Sequence, residues 1–566
     1  MTTNRCSEAP IVRGVRQPLQ SLLFLVVSSF VPGNSVSSIK NVVYIVIDDM
    51  RPEISAYNLQ HPIYTPNIDK LAAESLVFDR AYAQFALCGP SRSSFMTGRR
   101  PDTTGIWNMD DSFRTNGIGN NWTTLPGLFL RSGFQTLGSG KTFHPEQPKL
   151  YDSDRSWSTQ ALPYYNPCFE EGVDCFPCPK TGWSIGDVTA DWCMIESKMD
   201  LKTVERAVDL LNDAISAQET AGDDVASPFF LAVGMHKPHM PWQAKKKFFD
   251  MYPLDNISVA VHKTAPAGMP DIAWTNDGSS PSPWEPIEDA DAKLARRAYY
   301  AAVSGMDEHL GIFLDALAAS SVANTTAVLL HSDHGWQLGE HCEWKKNTNF
   351  ELAVRVPFML KVPWLPASMG TRTPALVELV DIAPTLAELA GAPLPSNESF
   401  DGVSLVPLLL GAAEALGESG SALVDEKAAA ATSARSAATT VVKNATFSQY
   451  PRAPQNPDEL WADNKINHND PSSFGYMGMS VRTMDWRYTA WYAWDNVSLI
   501  PVWEGTSEGN PPFSEMYDHR KEDPTVTNFD ADENENLSGR SEYADIESSL
   551  LRMVRVQFKD PAVQLK

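Results

Sequence analysis

Three uninterrupted apolar runs, each ending in carboxylate, imidazole or ammonium side chains, constrain this chain more than any other feature. They are "NVVYIVIDDM" (Asn41–Met50), "PFFLAVGMHKPH" (Pro228–His239) and "TTAVLLHSDHG" (Thr325–Gly335). A strand with one wet face alternates apolar and polar residues. An unbroken run therefore reads as a strand covered on both faces, as in a parallel sheet between helix layers. In such sheets functional groups collect at the carboxyl ends of the strands. Helical periodicity fills the intervals, in "TPNIDKLAAES", "TVERAVDLLNDAI" and "RRAYYAAVSGMDEHLGIFLDAL". The expectation is an α/β fold built on a largely parallel sheet flanked by helices.

The texture changes after "VELVDIAPTLAELAG" (Val377–Gly391). Residues 411–440 are rich in Ala, Ser, Gly and Glu and read as a loop or linker. Beyond them, "MGMSVRTMDWRYTAWYAW" (Met477–Trp494) alternates like an antiparallel pair, which predicts a smaller C-terminal α+β subdomain. The 566 residues exceed what one small core needs. Acidic residues outnumber basic ones by 70 to 46, a net charge of −24 that speaks against nucleic acid as a partner. A local basic pocket for a small anion remains compatible with that balance.

Residues 1–38 read as a signal peptide. Arg13 and Arg16 precede the apolar stretch "SLLFLVVSSFV", which small residues follow. That stretch is too short to span a bilayer, and no later one reaches the required length. Seven N-x-[ST] sequons, at Asn121, Asn256, Asn324, Asn397, Asn444, Asn496 and Asn536, agree with passage through the secretory pathway. Among the seven cysteines, Cys168, Cys175, Cys178 and Cys193 share one Pro-rich stretch and read as two local disulfides of unspecified pairing. A zinc site around "CFPC" is the alternative reading. Cys88 and Cys342 stand apart.

The strand ends supply the chemistry. Asp48-Asp49 and Asp333-His334 offer clustered oxygen donors that suit a hard cation better than zinc. In "FALCGPSRSSFMTGRRPD" (Phe85–Asp102), Pro90 suits the first turn of a helix, placing Cys88 at its N-terminus, where the helix dipole favours negative charge. Arg92 returns to the same face one turn later. Cysteine, helix end and arginine together describe a nucleophile facing an anionic substrate, with a buried inert cysteine or a plain thiolate as the other readings.

"CGPSRSSFMTGRRPDTTGIW" resembles the signature of the formylglycine-dependent type I sulfatases, in which C-x-P-S-R is followed by T-G-R. "VIDDMRPEISAY", "GKTFHP", "FFLAVGMHKPHMPW", "SDHGWQLGEHCEWKKNTNFELAVRVPFM" and "SQYPR" look like the iduronate-2-sulfatase branch of that family. The resemblance covers roughly residues 41–400 and 445–540. It implies an alkaline-phosphatase-like fold with a smaller C-terminal subdomain; with the Ala/Ser-rich loop or linker, itself unlike such relatives, placed at 411–443, the catalytic domain reads as 39–410 and the subdomain as 444–566. It also implies a calcium ion held by Asp48, Asp49, Asp333 and His334, together with position 88. Cys88 would be the precursor of formylglycine, made by the formylglycine-generating enzyme. Arg92, Lys141 and Lys346 would neutralise the sulfo group, His236 would protonate the leaving alcohol, and His144 would act as base. The implied substrate is a sulfated carbohydrate, with a hexuronate 2-sulfate favoured, in a secreted or lysosome-like setting. A phosphodiesterase or phosphonate hydrolase of the same superfamily, or an inactive glycan-binding relative, is the alternative.

Several neighbouring residues stay open at this level. His239 reads as structural beside His236, and Lys345 competes with Lys346. Trp336, Glu340 and His341 either line the pocket or brace its loop. Cys342 stands where relatives usually carry Gly.

Overall fold

The computed structural model describes residues 40–57, 63–158, 194, 198–221, 227–275, 279–280, 282–417, 442–453, 466–503, 510–520 and 533–559. The signal-peptide reading, the four clustered cysteines and most of the Ala/Ser-rich segment lie outside these residues.

Seven strands form the main path of a mixed sheet: β1 (Asn41–Ile47), β2 (Leu76–Tyr82), β3 (Gln135–Gly140), β4 (Phe229–Met235), β5 (Thr326–Ser332), β6 (Phe358–Lys361) and β7 (Thr371–Glu378). Their order is β7-β2-β6-β5-β1-β4-β3, and the two-residue strand Arg355–Val356 lies beside β2. Only β6 and that short strand run antiparallel to their neighbours. The three apolar runs are thus the central strands β5, β1 and β4.

Both faces of β1 are dry, as its composition requires. Val43, Ile45 and Ile47 pack on one side with Leu211 of α4 (Lys198–Ala221) and Tyr299 of α5 (Asp289–Ala318). Val42, Tyr44 and Val46 pack on the other with Phe95 of α2 (Cys88–Thr97), Phe129 of α3 (Leu125–Arg131) and Leu386 of α6 (Ile382–Ala390). Each fully buried Val or Ile contributes about 1.5–3 kcal/mol relative to exposure, so the run fixes the sheet's centre.

Register then builds the site. Ile47 pairs with Met235 on one side and Ser332 on the other. The next residues, Asp48, His236 and Asp333, therefore emerge side by side on strands about 4.8 Å apart. Gly140 pairs with Gly234, which brings Lys141 to the same edge. A side chain on Gly234 would meet the Lys141 backbone at 2.2 Å, so only glycine allows this close approach.

A second, antiparallel sheet follows, of β8 (Thr446–Arg452), β9 (Tyr476–Arg482), β10 (Trp486–Asp495) and β11 (Phe513–Asp518), with α7 (Ala544–Lys559) on one face. Its other face meets the first lobe. Arg482 Nε pairs with Glu351 at 3.0 Å, and Arg487 Nη1 donates to the Asn349 carbonyl at 2.9 Å. Arg452, from "SQYPR", donates to the Asn347 carbonyl at 3.0 Å and so steadies the turn that carries Lys346. The structure has the predicted architecture, a largely parallel sheet between helices with a smaller sheet-and-helix subdomain.

Candidate active site

Cys88 is the first residue of α2 and is completely buried. Its sulfur lies 3.4 Å from Asp48 Oδ1, 3.8 Å from Asp49 Oδ1 and 3.4 Å from His334 Nε2, while the Lys346 ammonium donates to it at 3.0 Å. One ligand atom from each of Asp48, Asp49, Cys88, Asp333 and His334 fits within a group no more than 4.8 Å across. Four chain segments, with contacts between residues up to 297 positions apart in sequence, thus converge on one point.

Backbone amides pre-shape this cluster. Asp333 Oδ1 accepts from the N–H groups of Asp49 and His334, both at 3.0 Å. His334 Nδ1 donates to the Gly335 carbonyl at 2.9 Å, which leaves the Nε2 lone pair facing the carboxylates. Asp49 adopts a left-handed conformation, with φ of 63°, and its buried Oδ2 has no hydrogen-bond partner.

Three cations answer the three carboxylates. Arg92 is fully buried and pairs through Nη2 with Asp48 (3.2 Å) and through Nε with Asp333 (3.0 Å); its Nη1 donates to the carbonyls of Lys141 and Thr142. Lys141 Nζ lies 2.5 Å from Asp48 Oδ2, and Lys346 Nζ 2.6 Å from Asp49 Oδ1. Burial alone would raise the Asp48 carboxyl, but Lys141 and Arg92 outweigh it and hold the group well below its ordinary range. Asp49 goes the other way, because burial and the neighbouring Asp48 charge outweigh Lys346. Burial, reinforced by Asp48, pushes the Cys88 thiol well up.

The imidazoles stand at the rim. His236 Nδ1 is 3.9 Å from Asp48 Oδ2, and His239 Nε2 is 4.0 Å from Asp49 Oδ2. Their rings lie 5.0 Å apart. Burial and Lys237 hold His236 neutral, and burial likewise depresses His239. Burial, with the Lys141 and Arg92 charges, lowers His144 to about 3. The Nδ1 atoms of His144 and His236 are buried without a hydrogen-bond partner.

Of the sequence-predicted site residues, Asp48, Asp49, Cys88, Arg92, Lys141, His236, Asp333, His334 and Lys346 are linked by these contacts at one sheet edge, and His144 lies within reach of the Lys141 and Arg92 charges. His239, read from sequence as structural, also faces the cluster, and the spacing in "HKPH" alone does not distinguish it from His236. Lys346, and not Lys345, points into the site. Trp336 forms its wall, with the Lys346 ammonium 5.5 Å from the ring centre. Glu340 instead braces the loop, pairing with Arg51 and Arg296 at 3.0 and 2.9 Å. His341 is buried against Phe350, and Cys342 is a buried thiol whose sulfur donates to the Ser282 carbonyl at 3.2 Å.

This geometry can bind a hard cation next to residue 88 and an anion against Lys141, Lys346 and the rim histidines. The family model described as Sulfatase matches residues 40–392. The chain belongs to the sulfatase family. It is 34% identical to the mouse iduronate 2-sulfatase (Mus musculus) over 524 residues, spanning 83% of this chain and 88% of that protein. The human iduronate 2-sulfatase (Homo sapiens) is also 34% identical, over 81% and 86% of the two chains. Among solved structures, a 2-O GAG sulfatase superposes with a TM-score of 0.61 at 18% identity, covering 93% and 94% of the chains. A phosphonate monoester hydrolase of Agrobacterium radiobacter gives 0.62 at 18% identity, over 92% and 96%. These two share the fold. This sulfatase is an enzyme of sulfate-ester hydrolysis, and its buried Asp/Cys/His cluster fits a metal site.

Proposed function

We propose that this sulfatase removes the 2-sulfate of a hexuronate in a glycosaminoglycan-like glycan, using calcium and a formylglycine made from Cys88. One observation carries the reading. The Cys88 sulfur sits among Lys346, His334 and two carboxylates, yet its thiol is held protonated by burial and Asp48, so an unmodified Cys88 is a poor nucleophile. The names of the relatives, iduronate 2-sulfatases at 34% identity, support the substrate class.

The donor set suits calcium. Three carboxylates, one with a buried and unpartnered oxygen (Asp49 Oδ2), are hard ligands in a small space, and the His334 imidazole adds a borderline nitrogen donor. When present, the cation supplies charge against the sulfo oxygens, and a hydrated formylglycine supplies an oxygen nucleophile in place of sulfur. The chain's own residues do the rest. Arg92 keeps Asp48 and Asp333 at a fixed spacing. Lys141 and Lys346 neutralise the sulfo group as charge develops on it. His144, neutral and with Nδ1 unpartnered, accepts a proton from position 88. His236 is neutral in the free site; an anionic ester beside it favours the imidazolium, so substrate binding charges the acid that protonates the leaving alcohol.

Cys88 has no exposed surface, so a formylglycine-generating enzyme would have to reach it before the fold closes. The 1–38 leader and the exposed sequons at Asn121, Asn256, Asn324, Asn397 and Asn444 support a secreted or lysosome-like protein. No described helix is long and apolar enough to cross a membrane. The test is sulfate release from a hexuronate-2-sulfate disaccharide, compared with a phosphate diester and an aryl sulfate. Preferred turnover of the disaccharide is expected. A preference for the phosphate diester would refute the proposal.

A further inference from the structure

The mechanism leaves the fully buried carboxylate of Asp200 unused. Asp200 is the third residue of α4, and the other buried residues of that helix are Met199, Thr203, Val204, Ala207, Leu210, Leu211 and Ala214. A carboxylate on so apolar a face is costly unless it is matched by donors. Its donors are specific. Oδ1 accepts the backbone N–H of His236 at 2.6 Å, and Oδ2 accepts that of Lys237 at 3.0 Å. These are the first two amides beyond β4. Hydrogen bonds from N–H groups to a buried carboxylate are short and roughly twice as strong as neutral ones. The cavity beside Asp200, also lined by Lys237, Gln243 and His309, measures about 10 Å³, room for at most one water molecule. Bulk water therefore does not compete for the carboxylate.

The same turn is tied from within. The Lys237 ammonium, itself buried, donates to the carbonyls of His239 at 2.8 Å and Pro241 at 2.7 Å. The His236–Pro241 turn is thus pinned to α4 at its start and cross-braced at its end. Both imidazoles at the rim of the site ride on it.

We propose that Asp200 is a positioning residue for the reaction, holding the His236 imidazole at the Asp48 edge through the two amides it anchors. The role rests on the reading that His236 protonates the leaving alcohol. An asparagine at 200 keeps the shape but turns an NH2 group toward one of the two N–H donors, so one anchor is replaced by a repulsion. The turn then swings, and the proton donor is lost without any change in the carboxylates or in position 88.

A leaving-group comparison tests this. Departure of a sugar alkoxide needs the acid, whereas 4-nitrophenolate leaves without it. General acids contribute on the order of 10²–10⁴-fold. His236→Ala should lose that on a uronate-2-sulfate disaccharide and about tenfold or less on 4-nitrophenyl sulfate. Asp200→Asn should lose roughly 10–100-fold in kcat on the disaccharide with little change on the aryl sulfate. The double variant should be no slower than His236→Ala alone. Lys237→Gln, which loosens the turn from inside, should show the same selectivity and serves if Asp200→Asn does not fold. Equal losses on both substrates in Asp200→Asn and Lys237→Gln, with a selective His236→Ala, overturn the positioning role alone. An unselective His236→Ala overturns the assignment of His236 on which that role rests.

Discussion

Replacing Arg92 by methionine removes a buried charge while nearly conserving volume, so its effect isolates electrostatics from cavity formation. In the wild-type site Asp48, Asp49 and Asp333 are matched by Arg92, Lys141 and Lys346, and both Arg92 contacts are fully buried. Without the guanidinium, Asp48 keeps Lys141, but Asp333 Oδ2 loses its only described side-chain cation and the Lys141 and Thr142 carbonyls lose a donor. Removing one partner of a buried ion pair costs about 3–5 kcal/mol. In chelator, Arg92→Met should therefore unfold at lower urea, with a loss of about that size read from tryptophan fluorescence. Saturating calcium should shrink the deficit, because the ion supplies the positive charge Asp48 and Asp333 have lost. At 100 times its dissociation constant a ligand stabilises by about 2.7 kcal/mol, and the variant should gain more than the wild type. A deficit below about 1 kcal/mol in chelator would refute the charge-matching reasoning. An equal deficit with and without calcium would refute a cation at Asp48 and Asp333.

Lys346→Ala removes the ammonium that touches Asp49 and position 88; kcat/KM should fall about 10²–10³-fold, and a loss under roughly fivefold would contradict its role. His331 accepts from the Tyr44 hydroxyl and donates to the Ser332 carbonyl, both at 2.7 Å, and burial lowers it to about 3. Its folded value lies below the unfolded value of about 6.5, so its contribution is complete above pH 6.5 and is lost as pH falls toward 3. Between pH 4 and 6, stability of the wild type should rise with pH more steeply than that of His331→Gln, by about 1.4 kcal/mol per unit; parallel profiles would contradict this. Glycopeptide mapping should find glycans at exposed sequons such as Asn121 and Asn324 but none at Asn536. Its amide accepts from Met516 and Ser538 and donates to the Gly268 and Ser514 carbonyls, leaving no valence for a sugar; a glycan there would disprove that packing.

Much of the site was legible because a strand announces its own end. The runs before Asp48, His236 and Asp333 are apolar until they reach the sheet edge, and parallel pairing then aligns their last residues. Cys88 and Arg92 were legible for a local reason, one helical turn. What the sequence hid depends on distance in the chain. Asp200 looks like an ordinary first-turn helix residue until two amides 36 and 37 positions away are seen on it. Gly140 and Gly234 gave no sign that two strands approach closely enough to seat Lys141. His239 was discounted because spacing alone cannot say which histidine of "HKPH" turns inward, and here both do. Arg452 sits in a strand of the second sheet, and only the packing of the two lobes shows it holding the Lys346 turn.

The most direct measurement is mass spectrometry of the tryptic peptide Ala81–Arg92, from protein secreted by a host that makes formylglycine. The peptide should be lighter than encoded by the difference between a thiol-bearing methylene and an aldehyde, should resist alkylation by iodoacetamide, and should form a hydrazone. A peptide of the encoded mass that alkylates fully, from an enzyme that still releases sulfate, would contradict the proposed nucleophile at position 88.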